Sequence, residues 1–213
     1  MSLTITLLGA ESTGKTTLAG ALAAELGHHG LRVAQVPEVL REWCERTGRV
    51  PVAGEQQAIA DEQARRTDAA RASGADVVVA DTAPLVVAVY SAWLFEDPTL
   101  LPAALDWQRG CDATLVAGMD LPWTADGLRD GPQAQAPFDG LLRQVLRDAG
   151  IGFQVVYGSG EARLRNALDA IAPLLPEVAR PAPRGPQRPW QWRCDTCSDA
   201  DCEHRLFTRL RAG

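Results

Sequence analysis

Gly9-Ala10-Glu11-Ser12-Thr13-Gly14-Lys15-Thr16 follows the pattern G-x-x-x-x-G-K-[S/T], and its surroundings decide how the rest of the chain is read. Leu3 to Leu8, just before it, is a short apolar run of the kind that forms a buried strand. Lys15 to Leu26, just after it, carries leucines and alanines at helical spacing and stops at Gly27. Strand, glycine-rich turn and helix in that order make a mechanical unit. The glycines let backbone N–H groups turn inward around phosphate oxygens, the helix N-terminus adds its positive end, and a lysine reaches the β- and γ-phosphates. Gly9, Glu11, Ser12, Thr13, Gly14, Lys15, Thr16 and Thr17 are therefore the predicted residues for ATP, with the Thr16 hydroxyl on Mg²⁺. The alternative is a glycine turn without a ligand.

The composition supports that reading through one residue. Of the 21 Lys and Arg, 20 are arginine and only Lys15 is lysine. A chain that otherwise chooses a planar guanidinium keeps its one compact ammonium inside the motif. The length of 213 residues suits one domain, or one domain with an appendage. A net charge of -6 argues against general nucleic-acid binding, because no basic surface is available to neutralise phosphates. No apolar run approaches the ~20 residues that span a bilayer, and the N-terminus runs straight into the phosphate loop, so no membrane partner and a cytoplasmic location are expected. Five cysteines, three of them near the C-terminus, make a disulfide framework improbable in such a compartment.

Outward from the motif, strands and helices alternate. Strands are predicted at 32–36, 76–80, 113–117 and 153–157, and helices from near Glu38, over 54–72, 83–95, 138–149 and 161–174. The run Asp76-Val-Val-Val-Ala80 has the continuous hydrophobicity of a parallel strand covered on both faces. The pattern predicts an α/β fold with a parallel sheet and helices on both sides. The domain is placed at 1–174, a Pro- and Arg-rich linker at 175–189 and a Cys/His/Trp tail at 190–213. Residues 180–213 carry seven arginines and four acidic groups, net +3, against -9 for the rest.

Several residues stand where such a sheet gathers its ligands, at the carboxyl ends of the strands. Asp81 ends the valine strand and is predicted to hold Mg²⁺; the alternative is a cap for the following helix, and the two are not exclusive, since Thr82 could cap instead. Glu38 follows Pro37 at the end of the second strand and is placed to accept the proton of an attacking hydroxyl, with Arg41 one turn on to clamp a phosphate or orient that acid. The alternative for this pair is a solvated first-turn ion pair. The segment Pro122 to Pro132 (PWTADGLRDGP) has the composition of a lid, with Arg129 to offset charge developing on the phosphates and Asp126 to orient lid or substrate; an ordinary surface loop is the alternative. Arg163, after the fifth strand, is the candidate to stack on adenine. Cys194, Cys197, Cys202 and His204 are the right residue types for a structural Zn²⁺, although tightly spaced; without metal the tail would pack through Trp190, Trp192, Leu206 and Phe207.

GAESTGKTT, VPEVLREW, the helix around Gln63, VADT and PWTADGLRDGP together resemble the NadR-like ribosylnicotinamide kinase family, over residues 1–174. The resemblance concerns the kinase part of proteins that also carry a DNA-binding segment and an adenylyltransferase domain, and the cysteine-bearing tail lies outside that pattern. It implies a P-loop kinase fold with five parallel strands in the order 2-3-1-4-5. It also implies ATP-dependent phosphorylation of the 5′-hydroxyl of nicotinamide riboside. By the same resemblance Lys15 and Thr16 serve phosphate and Mg²⁺, Asp81 serves Mg²⁺, Glu38 and Arg41 face the acceptor, and Arg129 closes from the lid. VPE is also similar to the carboxylate motif of deoxynucleoside kinases, where the Glu is the base. The expectation is a small-molecule kinase with Lys15, Glu38 and Arg129 as catalytic residues. The competing expectation is an ATPase switch whose tail binds a partner and which has no small acceptor.

Overall fold

A computed structural model describes residues 2–123 and 132–183. At its centre β1 (Leu3–Leu8) is buried from Thr4 onward, and its side chains alternate between two apolar layers. Ile5 and Leu7 point to one side, where they meet Leu18, Leu22 and Leu26 of α1 (Lys15–His28) and Ala167, Leu168 and Ile171 of α7 (Gly160–Ile171). Leu8 points to the other side, toward α4 (Pro84–Leu94) and α6 (Pro132–Asp148). The flanking strands β2 (Val33–Val36), β3 (Val77–Asp81), β4 (Ala113–Ala117) and β5 (Gln154–Val156) complete a parallel sheet in the order β2-β3-β1-β4-β5. Every strand pair is parallel, with Leu7 opposite Asp81 on one side and Leu115 on the other.

This is the expected sheet, and its order positions the site. The chain leaves β1 for β2 and β3 on one side and crosses to β4 and β5 on the other, so a crevice opens at the carboxyl end of β1. Two threonines of β1, Thr4 and Thr6, are buried and must be satisfied inside the sheet. Asp112 accepts the Thr4 N–H at 2.7 Å, and Gln108 donates to Thr6 and Thr114 at 2.8 and 2.9 Å. Gln108 lies on α5 (Leu101–Arg109), a helix that the sequence pattern did not announce.

Helix ends differ from expectation for local reasons. α1 continues through Gly27 and turns only at Gly30, whose φ is 83°. An interior glycine costs about 1 kcal/mol but does not stop a helix held by tertiary packing. α6 begins at Pro132 and tolerates Pro137 within it. α2 (Val39–Thr47) and α3 (Gln56–Ala72) fill the space beside β2 and β3, joined by a single 3-10 turn at Ala53–Glu55. Leu175 and Ala179 are buried in the layer formed by α1 and α7, so the start of the proline-rich stretch packs on the core. By internal contacts the chain divides into units Met1–Pro181 and Ala182–Gly213, and the five strands and seven α-helices found among the described residues belong to the first. Among the described residues no helix is long and apolar enough to cross a membrane.

Candidate active site

The loop between β1 and α1 turns on three positive φ angles, Gly9 at 138°, Ser12 at 54° and Gly14 at 75°. Glycine adopts such angles without strain. A Cβ on Gly9 would also lie 3.2 Å from the Ala117 carbonyl, and one on Gly14 would lie 2.8 Å from Leu121 Cδ1. The Thr13 hydroxyl pins the turn by donating to the Ala10 carbonyl at 2.7 Å. Lys15 is buried and folds back over the loop, its Nζ donating to the carbonyls of Gly9 and Ala10 at 3.1 and 2.9 Å. The first turn of α1 holds no acidic side chain, so its N–H groups and positive dipole end are offered to an anion. Thr16 and Thr17 are exposed on that turn.

Asp81 closes β3 at 1 % exposure. Burial pushes its carboxyl above the ordinary value; the Thr16 hydroxyl bonded to it acts the other way, Glu38 adds to the rise, and Lys15 and Arg41 oppose it. Its Oδ1 is buried without a donor among the described residues. Neither Asp81 nor Thr82 caps α4, whose N-cap is Ala83 with Pro84 in the first turn. The capping alternative therefore falls away. A hard divalent cation fits this place, because the Thr16 hydroxyl and the orphaned Asp81 oxygen are the oxygen donors it prefers, and Mg²⁺ takes its remaining ligands from phosphates and water. Glu38 stands at the N-cap of α2, with Arg41 Nε 3.5 Å from its Oε2.

From the phosphate loop a cleft of about 570 Å³ runs outward between α2 and α4. Glu38, Leu40, Arg41, Cys44 and Glu45 line it from α2 and its cap, and Val86, Tyr90 and Leu94 form a stripe at i, i+4, i+8 from α4. Val50, Pro51 and Val52 close it from the loop after α2. Of the seven large hydrophobic side chains exposed among the described residues, Val50, Val52 and Leu94 all face this cleft, which marks it as a surface built to meet an apolar group. The sequence reading found the acidic end of the cleft and missed this apolar wall.

Residues 4–163 match the AAA domain family. The chain belongs to this family. No curated protein matches it. Among solved structures it is similar to a NadR protein in complex with NAD and AMP-PNP, at TM-score 0.64 and 21% identity over 81% of this chain and 49% of that one. It is also similar to a NadR protein in complex with NR, at TM-score 0.66 and 23% identity over 81% of this chain and 50% of that one. The chain thus spans about half the length of both, and at these identities the likeness is one of fold.

Other expected site residues of this AAA domain stand differently. Arg163 is 3 % exposed, and its guanidinium donates to Gly158 O at 2.9 Å, Asp120 Oδ1 at 3.0 Å, Thr13 O at 2.8 Å and Gly118 O at 3.1 Å. It ties the phosphate loop to the ends of β4 and β5 and has no open face for a base to stack on, which corrects the adenine assignment. Glu11 lines the cleft, and its carbonyl accepts a 2.6 Å bond from Gln135 of α6. Asp126 and Arg129 lie outside the described residues. The zinc expectation is also corrected. Among the described residues no group of three or more His, Cys, Asp or Glu is placed to hold a metal ion, and Cys194, Cys197, Cys202 and His204 lie outside them. No role is therefore assigned to zinc.

Proposed function

We propose that this AAA domain is a Mg²⁺- and ATP-dependent kinase that phosphorylates the 5′-hydroxyl of a small nucleoside, with nicotinamide riboside as the acceptor. The observation that carries the reading is the shared wall. Gly9, Glu11 and Lys15 of the phosphate loop line the same cleft as Glu38 and the apolar stripe of α4, so a triphosphate and an acceptor can meet end to end. A switch that only hydrolyses ATP has no use for a second, largely apolar compartment. The similarity to a NadR protein crystallised with NR supports the choice of nucleoside.

In this reading the loop N–H groups and Lys15 bind the β- and γ-phosphates, and Lys15 offsets charge on the transferring group. Thr16 and Asp81 would hold Mg²⁺, which supplies charge neutralisation on the phosphate oxygens when bound. Glu38, flanked by Arg41, accepts the proton of the acceptor hydroxyl as that oxygen bonds to the γ-phosphorus and the bond from that phosphorus to the β–γ bridging oxygen breaks, releasing ADP. The nucleobase end lies against Tyr90, Leu94, Val50 and Val52. With Arg163 committed to the loop, the exposed ring of Tyr157, which packs against Gly118, becomes the surface we assign to adenine. A cytoplasmic setting suits a protein that consumes ATP.

The test is ATP consumption and product mass measured against a panel of nucleosides including nicotinamide riboside. Acceptor-dependent ADP formation with a monophosphate product is expected. ATP hydrolysis indifferent to every acceptor would overturn the reading. Glu38→Gln is expected to lower kcat by about 10²- to 10⁴-fold while ATP still binds, and full activity in that variant would remove Glu38 from the mechanism.

A further inference from the structure

Gln63 of α3 is 0 % exposed and stands outside the lining of the cleft. A buried amide is costly unless its hydrogen-bonding groups are met. Here they are met by one short segment. The Val39 N–H donates to Gln63 Oε1 at 2.9 Å, and Gln63 Nε2 donates to the Pro37 carbonyl at 3.3 Å. The orientation of the amide is forced, since only its oxygen can take the N–H and only its nitrogen can serve the carbonyl.

These two peptide groups are the ones that flank the Glu38 Cα. Peptide units are planar, so a residue between two held planes has its φ and ψ held as well. Glu38 sits at φ -69° and ψ 111°, the N-cap of α2, yet its side chain makes no capping bond. An N-cap side chain that does cap takes the N–H of the second or third helical residue, here Leu40 or Arg41. Gln63 takes up the N–H of Val39, the first helical residue, and the Glu38 carboxylate lines the cleft that Lys15 also lines.

We infer that Gln63 is a positioning residue for phosphoryl transfer, whose amide fixes the backbone of Glu38 and so aims the carboxylate at the acceptor hydroxyl. The inference rests on the reading of Glu38 as the proton acceptor. It differs from a purely structural tie between α2 and α3, to which Val39, Ile59, Ala60 and Val87 already contribute by packing together. A structural tie acts on the whole site, whereas a positioning residue acts through Glu38 alone.

The experiment is a double-mutant cycle. Gln63→Met keeps volume and shape without the two bonds, and is measured alone and together with Glu38→Gln, with thermal unfolding followed alongside. Alone, Gln63→Met is expected to lower kcat by about 10- to 100-fold, the cost of a small misplacement of a reacting group, with KM for ATP within about twofold. In the Glu38→Gln background the same substitution is expected to change kcat by less than about twofold, because the group it positions is gone. Equal losses in both backgrounds, or full kcat in Gln63→Met, overturn the inference. If Gln63→Met does not fold, Gln63→Leu takes its place in the cycle: it too is apolar and lacks both bonds, and it must show the same dependence on Glu38. Full activity in Glu38→Gln alone would instead sink the assignment of Glu38, and full activity in the Gln63 variants while Glu38→Gln is inactive would sink only the role of Gln63.

Discussion

Arg163 shows how much one buried side chain can organise. Its two terminal nitrogens meet three carbonyls and one carboxylate, which come from the phosphate loop and from the segments after β4 and β5. Without the guanidinium those acceptors lose their donors, and an unsatisfied buried acceptor costs about 1–3 kcal/mol. Arg163→Met is therefore expected to lower stability by about 3 kcal/mol in denaturant unfolding and to raise KM for ATP, since the Thr13 carbonyl is no longer held. Unchanged stability would mean that the loop is fixed by its own turn alone. Lys15 and Arg163 also mark the reach of the sequence. The role of Lys15 is local, written in the spacing of glycines a few residues away. The partners of Arg163 include Thr13, 150 positions distant, and Gly118, 45 positions distant, which no local pattern names.

At the scale of elements, the loop after α2 is the wall of the cleft whose hold is most open to test. Arg49 grips Glu55 through two bonds of 2.8 and 2.6 Å, lies over the ring of Trp43 at 4.7 Å, and so draws Val50 to Val52 against the cleft. The Arg49 guanidinium, with the Val52 N–H, holds the Glu55 carboxyl down at about 2, below its ordinary 4.5. A lowered folded-state value means that this contribution is complete above pH 4.5 and is lost as pH falls toward 2. Because the pair is exposed, the effect is confined to the loop and weakened by salt. The Trp43 indole resonance is expected to shift across that window, and Glu55→Gln to raise the acceptor KM severalfold at neutral pH with kcat little changed. A Trp43 signal flat from pH 5 to 2.5 would show that the ion pair does not hold the loop. The apolar half of this cleft escaped the sequence reading because α4 is buried without a break from Pro84 to Ser91. A helix apolar on every side carries no periodicity to show which stripe faces a cavity. The five strands were legible because each is mainly apolar, Val77–Ala80 above all, while α5 was hidden between Pro98 and Gly110 in a stretch of mixed polarity.

At the scale of the whole molecule, the cleft is polarised along its length. Its cations, Lys15 and Arg41, stand at the phosphate end, and Arg41 is already engaged with Glu38 at 3.5 Å. Glu45 lines the same cleft seven residues beyond Glu38 on α2, about 10 Å further along the helix axis. The exposed Val50, Val52 and Leu94 line the same cleft. In the proposed reading a nucleoside with its 5′-hydroxyl at Glu38 extends its base toward the Glu45 carboxylate, which favours a cationic ring over a neutral or anionic one. Nicotinamide riboside carries such a pyridinium ring, and in nicotinate riboside the ring carboxylate cancels the charge. Wild type is therefore expected to show a lower KM for nicotinamide riboside than for nicotinate riboside. Glu45→Gln should raise the former by about three- to fivefold, the scale of one partly exposed charge pair, and leave the latter unchanged or lower it. Raised ionic strength should shrink the preference in wild type and leave the variant unmoved. If the ratio of the two KM values is the same in both proteins, Glu45 does not read the ring, and the choice of acceptor falls to the contacts of Tyr90 and its apolar neighbours alone.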